Sequence, residues 1–421
     1  MQYRIYFFIL FFTLIIPATI ISYHEMSKKK CTLLNIKHAN NLNNVQIKIS
    51  ENFITDIKSD SAFIENDECL NLNYQHSTAL PGLIDSHSHV MAIDSADAKT
   101  WKQALEYSAG LSDAQRINLG VRNLKSMLKY GFTTVRDLGN SGFFLDYKLS
   151  EHLSRNKIYV PNFISTGPGI SFSTSQIDHL NYPNEYNVIG ENTNIDVLLD
   201  LYKKMNKSWI KVYADNSKKD EHLNENNLIQ FVKKAKSRNF KVAIHSEFSE
   251  SAKSALQSGA NSLEHMYEVA DLDLENQQQN VVLTVENYSD CINFEKSSFA
   301  HNSICKNKHN NQIQQIQKLK DKLFSLIFGS DAVLDSASGY TERGLHAIDI
   351  LISLKEFNFK PKDMIKAATS LPSEKLFGSN YGIKVGAEAD ISVYETDPEE
   401  NPEILRHPVL IIKSGKVVYQ K

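Results

Sequence analysis

Two histidines, His87 and His89 in PGLIDSHSHV, close an apolar run two residues apart. Residues i and i+2 of a strand share a face, so both imidazoles point the same way, a metal-binding geometry when the strand end opens into a cavity. Four further apolar runs end on a side chain that can bind metal or carry a proton: Lys211 in WIKVYAD, His245 in KVAIHSE, His265 in NSLEHMY and Asp331 in IFGSDA. Taken singly, a strand-end histidine is usually a hydrogen-bonded structural residue and an aspartate a helix cap. Four His, a Lys and an Asp that all close strands of one parallel barrel converge on one site. Imidazole nitrogen and carboxylate-type oxygen suit zinc among the divalent ions, with manganese or iron compatible.

The elements that must position these residues alternate short apolar runs with helical periodicity from Pro81 to about residue 370, the signature of parallel βα units. Eight strands are expected: GLIDSH, GFTTVRD, NFISTG, WIKVYA, FKVAIH, NSLEH, VVLTV and LIFGSD. Ser112 and Gln115 form a capping box ahead of Ile117, Val121, Leu124 and Leu128, which are apolar at helical spacing. The fold class is α/β, a (β/α)8 TIM barrel over residues 81–374, whose active site lies at the C-terminal ends of the strands. Residues 31–80 and 375–421 read as alternating strands with Asn- and Asp-rich turns. They form a small β-sandwich domain built from both chain ends, with Lys413 to Lys416 as a hairpin turn.

Across 421 residues, 46 basic and 49 acidic side chains nearly cancel to a formal charge of −3. That balance gives no nucleic-acid footprint and points to a small-molecule substrate, leaving homo-oligomerisation open. Residues 1–30 differ: Ile5 to Tyr23 carries no charge, comes after Arg4 and precedes Lys28, Lys29 and Lys30. The segment is a signal peptide or a membrane anchor, which makes the chain exported, periplasmic or extracellular, with an N-terminal tether if the segment is retained. The three lysines oppose translocation of the residues C-terminal to them, and no clear cleavage pattern is present. Of four cysteines, Cys291 and Cys305 bracket a polar stretch and would close a surface loop as a disulfide, with free thiols as the alternative. No C-x-x-C occurs.

The sequence resembles the amidohydrolase superfamily, in its exported prolidase-like and imidazolonepropionase-like branch. PGLIDSHSH resembles the first-strand motif, YGFTTVRDLGN the second and SGANSLEHM the sixth, and KAATSLPSEKLFGSNYGIKVGAEADISVYETDP resembles the segment that leaves the barrel for the β domain. The resemblance implies a metal-dependent hydrolase of amide or cyclic amide C–N bonds that works by attack of a metal-bound hydroxide. Its substrates would be Xaa-Pro-like dipeptides or N-acyl amino acids. It also implies two divalent metal ions, zinc by donor type, bridged by a carboxylated Lys211. One ion takes His87, His89, Lys211 and Asp331, and the other takes Lys211, His245 and His265. Asp331 is then both ligand and the catalytic proton carrier.

Two alternatives stand beside that reading. One is a mononuclear imidazolonepropionase-like cyclic amide hydrolase in which Lys211 stays an amine. The other, of a different class, is an inactive exported binding protein on the same barrel. Around the site, Tyr213 shares the inward face of Lys211 and could bind substrate. His179, on the loop after the third strand, stands where relatives often carry a Gly-Gly-His stretch that this chain lacks, and is a candidate substitute for that histidine in binding substrate. Strand alternation turns Glu264 outward, away from His265, and lets at most one of Arg136 and Asp137 face the site, with a structural ion pair as their expected role.

Overall fold

A computed structural model describes residues 29–421 apart from 61, 93–100, 173–184, 191, 216–224, 270–271, 274–278, 295–300, 334 and 379. His179 and the apolar N-terminal run lie outside the described residues. The N-terminal strands are β1 (Cys31–Ala39), β2 (Leu42–Ser50), β3 (Phe53–Lys58) and β4 (Cys69–Pro81). Three more close the chain: β15 (Ile391–Tyr394), β16 (Leu410–Lys413) and β17 (Lys416–Gln420). The seven join in one sheet of order β17-β16-β15-β4-β1-β2-β3.

The β3 edge of that sheet folds back onto the segment that leads into β15. Ile54 on β3 donates to Ala387 O at 2.9 Å, just ahead of β15, and Ala389 N donates to Asn52 O at 2.8 Å. Ile36, Ile47, Leu72, Ile391 and Leu410 fill the space between the halves, so one folded sheet supplies both layers of the β domain. The expected hairpin is present: Lys413 pairs with Lys416, and Ser414 and Gly415 both take positive φ, 47° and 73°. Such a two-residue turn matches the twist of antiparallel strands.

The barrel strands are β5 (Leu83–Ser88), β6 (Phe132–Asp137), β7 (Asn162–Ser165), β8 (Gly169–Ser171), β9 (Tyr186–Val188), β10 (Trp209–Tyr213), β11 (Lys241–Ser246), β12 (Ser262–His265), β13 (Asn280–Leu283) and β14 (Ser325–Phe328). All of their pairings are parallel. The eight expected strands all form. The third differs from the reading of NFISTG as one strand, because the chain bends at Gly167, at φ 72°. Asn162–Ser165 pairs with β6 on one side, and the continuation Gly169–Ser171 pairs with β10 on the other. Where β14 meets β5, Asp331 N donates to His87 O at 2.8 Å.

The capping box holds the helix Asp113–Lys129 as read from sequence: Gln115 N donates to Ser112 Oγ, and Ser112 N donates to Gln115 Oε1. The buried face of that helix carries Leu119, Leu124, Met127 and Leu128 against the barrel. These positions keep helical spacing.

Two disulfides are present. Cys291 and Cys305 pair as expected; both are buried and join helix Tyr288–Phe294 to helix His301–Asp321, and the connection at 295–300 lies outside the described residues. Cys31 and Cys69, to which the sequence assigns no particular partner, join β1 to β4, where they are register partners. The Cys291–Cys305 bond closes a separation of 14 residues. By the loop-entropy argument its removal costs about 3 kcal/mol. Cys305→Ser is therefore expected to lower the unfolding free energy by about that amount in denaturant titration, with the barrel still folded in water.

Candidate metal centre

His87 ends β5 with its ring fully buried. Nδ1–H donates to Glu264 Oε2 at 2.9 Å, which fixes the tautomer and leaves the Nε2 lone pair facing the cavity. Nε2 is buried and has no hydrogen-bond partner among the described residues, although Asp331 Oδ1 lies 3.7 Å away. A buried polar atom without a hydrogen bond is costly, and a metal ion is one group that satisfies it. His89 Nδ1–H donates to Gly139 O at 2.9 Å, and its Nε2 lies 3.3 Å from Asp331 Oδ1. His87, His89 and Asp331 form one three-donor cluster.

A second cluster is His245, His265 and Glu247. The two rings lie 4.4 Å apart, and His87 and His265 are 4.9 Å apart, so the clusters adjoin. His265 Nδ1 sits 2.6 Å from Thr284 Oγ1, and His245 Nε2 is 3.2 Å from Asp215 Oδ2 and 3.8 Å from Glu247 Oε1. Lys211 lines the same cavity. It is 1% exposed, with Nζ 5.3 Å from the Tyr213 ring centre. No carboxylate stands within ion-pairing distance of it among the described residues. The structure thus brings all six expected donors, with Tyr213, around one cavity of about 490 Å³.

The electrostatics favour ligand forms of these side chains. Burial and then the neighbouring Lys211 charge keep His87 well below the ordinary imidazole range, and burial and then His245 do the same for His265. Both rings are neutral near pH 7, as metal ligation requires. Burial lowers the Lys211 ammonium to about 8 against the opposing pull of Glu264 and Asp331. For Asp331, burial pushes the carboxyl up, but His87, His89 and Lys211 outweigh it and hold the group below its usual range.

Several functional residues were misread or missed. Glu264 is a correction. It points into the barrel, fully buried, because strand alternation ends at His265, whose φ of 72° lets adjacent residues both face inward. Glu264 joins His87 to Arg136, whose NH2 donates to Oε1 at 2.9 Å and whose Nε donates to Ser86 O at 2.6 Å. Arg136 and Asp137 form no pair with each other: Asp137 accepts from Val90 N and Gly139 N instead. Glu247, at i+2 from His245, and Asp85, at i−2 from His87, had a legible signal in that spacing. Asp85 accepts from Ser330 N at 2.9 Å and Ser330 Oγ at 2.6 Å, which steadies the turn holding Asp331 at φ 48°. Gly329 precedes that turn, and a Cβ there would stand 2.5 Å from His87 Cβ.

Neutral imidazoles, a carboxylate and a buried lysine at the C-terminal ends of parallel barrel strands, with a β-rich domain attached, define the class of barrel hydrolases that work with bound metal. The chain belongs to the amidohydrolase family, whose model matches residues 78–419 and whose members are generally metal-dependent. It is a hydrolytic enzyme of that family.

Solved structures share the fold. A Xaa-Pro dipeptidase with methionine bound in its active site matches with a TM-score of 0.76 at 21% identity, over 93% of this chain and 100% of that one. The A. niger ochratoxinase gives 0.74 at 18%, over 93% and 96%. Molinate hydrolase gives 0.76 at 14%, over 92% and 95%. No curated protein matches.

Because Glu264 orients His87 through one charge-assisted hydrogen bond, Glu264→Gln is expected to weaken metal binding about 10–100-fold while the barrel stays folded. Metal titration followed by circular dichroism measures both.

Proposed function

We propose that this enzyme hydrolyses amide or cyclic amide C–N bonds of small exported-compartment substrates, with Xaa-Pro-like dipeptides and N-acyl amino acids as the leading class. The observation that carries the reading is the buried Lys211, which lines one cavity with two clusters of donors and has no carboxylate in ion-pairing reach among the described residues. Its neutral amine can add to carbon dioxide, forming an N–C bond and releasing one proton, and the resulting carbamate would add anionic oxygen ligands to the donor set. His87, His89 and Asp331 would then hold one divalent ion and His245 and His265 the other, with zinc favoured by the donor set. Bound ions of this kind supply Lewis acidity, lowering the pKa of water and polarising a carbonyl.

The chain's own residues do the rest. Glu264 and Gly139 O keep His87 and His89 in the tautomers that present Nε2. Asp331 is ionised at neutral pH, stands beside both histidines, and can accept a proton from attacking water and return it to the leaving nitrogen, which cannot depart as an anion. Tyr213, packed at 5.2 Å against Tyr186, gives the cavity wall a phenol for substrate. The volume suits a dipeptide-sized ligand. The likeness to a Xaa-Pro dipeptidase and the two disulfides support the substrate class and the exported location.

A mononuclear reading has one observation in its favour: His87, His89 and Asp331 make a complete cluster without Lys211. Metal analysis of purified wild type and Lys211→Ala, with a panel of dipeptides and N-acyl amino acids, separates the two. The binuclear reading expects about two ions per chain, falling to one or fewer in the variant, with activity down by at least about 10²-fold. One tightly bound ion per chain and an active Lys211→Ala enzyme would establish the mononuclear form. No metal and no hydrolysis would return the chain to a binding role.

A further inference from the structure

The described chain begins at the end of the barrel opposite the metal cavity. Parallel strands put all their N-terminal ends on one face, and the proposed ligands occupy the other. Lys29 and Lys30 line a groove of about 630 Å³ together with Lys125, Lys129 and Lys416. Lys125 and Lys129 lie in the last turns of helix Asp113–Lys129, which leads into the N-terminal end of β6, and Tyr159 of the same groove sits just ahead of β7.

Among the described residues, Glu51 is the one acid lining this groove. Lys129 pairs with Glu342 at 2.8 Å and Lys30 with Glu68 at 3.4 Å. Lys125 and Lys416 are exposed and have no acidic partner among the described residues. Tyr159, 52% exposed, and Tyr419 stand among the lysines. Lysine interleaved with tyrosine is the composition that suits a lipid–water interface.

The described residues start at this groove, with Lys29. Residues 24–28 alone separate the uncharged run Ile5–Tyr23 from Lys29. Even fully extended, that connection spans roughly 20 Å. A retained apolar segment therefore holds this face, and not the cavity mouth, close to the bilayer. We propose that the lysine face rests on the anionic headgroup layer of the membrane that holds Ile5–Tyr23, and that the metal cavity consequently opens away from the bilayer. This rests on the anchor reading of the N-terminal segment and is independent of which bond the enzyme cleaves.

The test uses the full chain reconstituted into vesicles of phosphatidylglycerol and phosphatidylcholine containing a headgroup spin label. A fluorophore is placed on Tyr159→Cys, in the groove, or on Val188→Cys, which is exposed on β9 beside the cavity. All native cysteines are paired, so labelling is specific. Quenching at position 159 is expected to exceed that at 188 by about threefold, and to fall by about half without phosphatidylglycerol or in the Lys125→Glu, Lys416→Glu double variant. Equal quenching at the two positions, stronger quenching at 188, or indifference to lipid charge would overturn the proposal. So would membrane-fraction protein whose intact mass lacks the apolar segment. Hydrolysis measured on the same vesicles reports separately on the catalytic reading.

Discussion

A primary amine buried in a cavity with four imidazoles, with no carboxylate in ion-pairing reach among the described residues, is the constraint on which this site turns. Leaving a buried charge uncompensated costs roughly 3–5 kcal/mol, and a protein can relieve it by neutralising the group or by changing it chemically. At Lys211 burial pushes toward the neutral amine, and the cavity it lines is shared with four histidines and Asp331. The rest of the barrel mouth is arranged consistently with that: neutral His87 and His265, an ionised Asp331, and a cavity large enough for a small substrate.

Beneath this layer lies a second one that holds it in place. Arg136 ties three strands together by donating to Ser86 O on β5 and to Ser262 Oγ and Glu264 on β12, while its guanidinium stacks 4.5 Å from the Trp209 ring on β10. Glu264 passes that order on to His87. At the rim, Arg343 donates to His89 O and Asp335, and His346 bridges Asp335 and Asp290 at 2.7 Å and 2.9 Å. Burial opposes protonation of His346, but its hydrogen bonds to the two carboxylates outweigh that and raise it to about 9. Asp290 neighbours Cys291, so the disulfide also steadies the cavity wall.

Much of this was legible in the chain because strand ends announce themselves. An apolar run that stops on His, Lys or Asp marks both a strand and its C-terminal side chain, which is why all eight strands and the six side chains that line the cavity at their ends could be named, while Glu247 was not. What escaped came from geometry that alternation does not encode. Glu264 faces inward because His265 leaves the extended conformation. Arg136 pairs across the barrel instead of along its own strand. Cys31 and Cys69 meet because β1 and β4 are parallel neighbours in register, a pairing that spans 38 residues of sequence. The third strand is split by a bend at Gly167 that its apolar pattern does not reveal.

The central claim, a carboxylated lysine shared by two metal sites, is tested most directly by carbon NMR of metal-loaded enzyme prepared with ¹³C-bicarbonate. One carbamate carbon signal per chain is expected, present in wild type and absent in Lys211→Arg. An active, fully metallated wild-type enzyme with no such signal would contradict it.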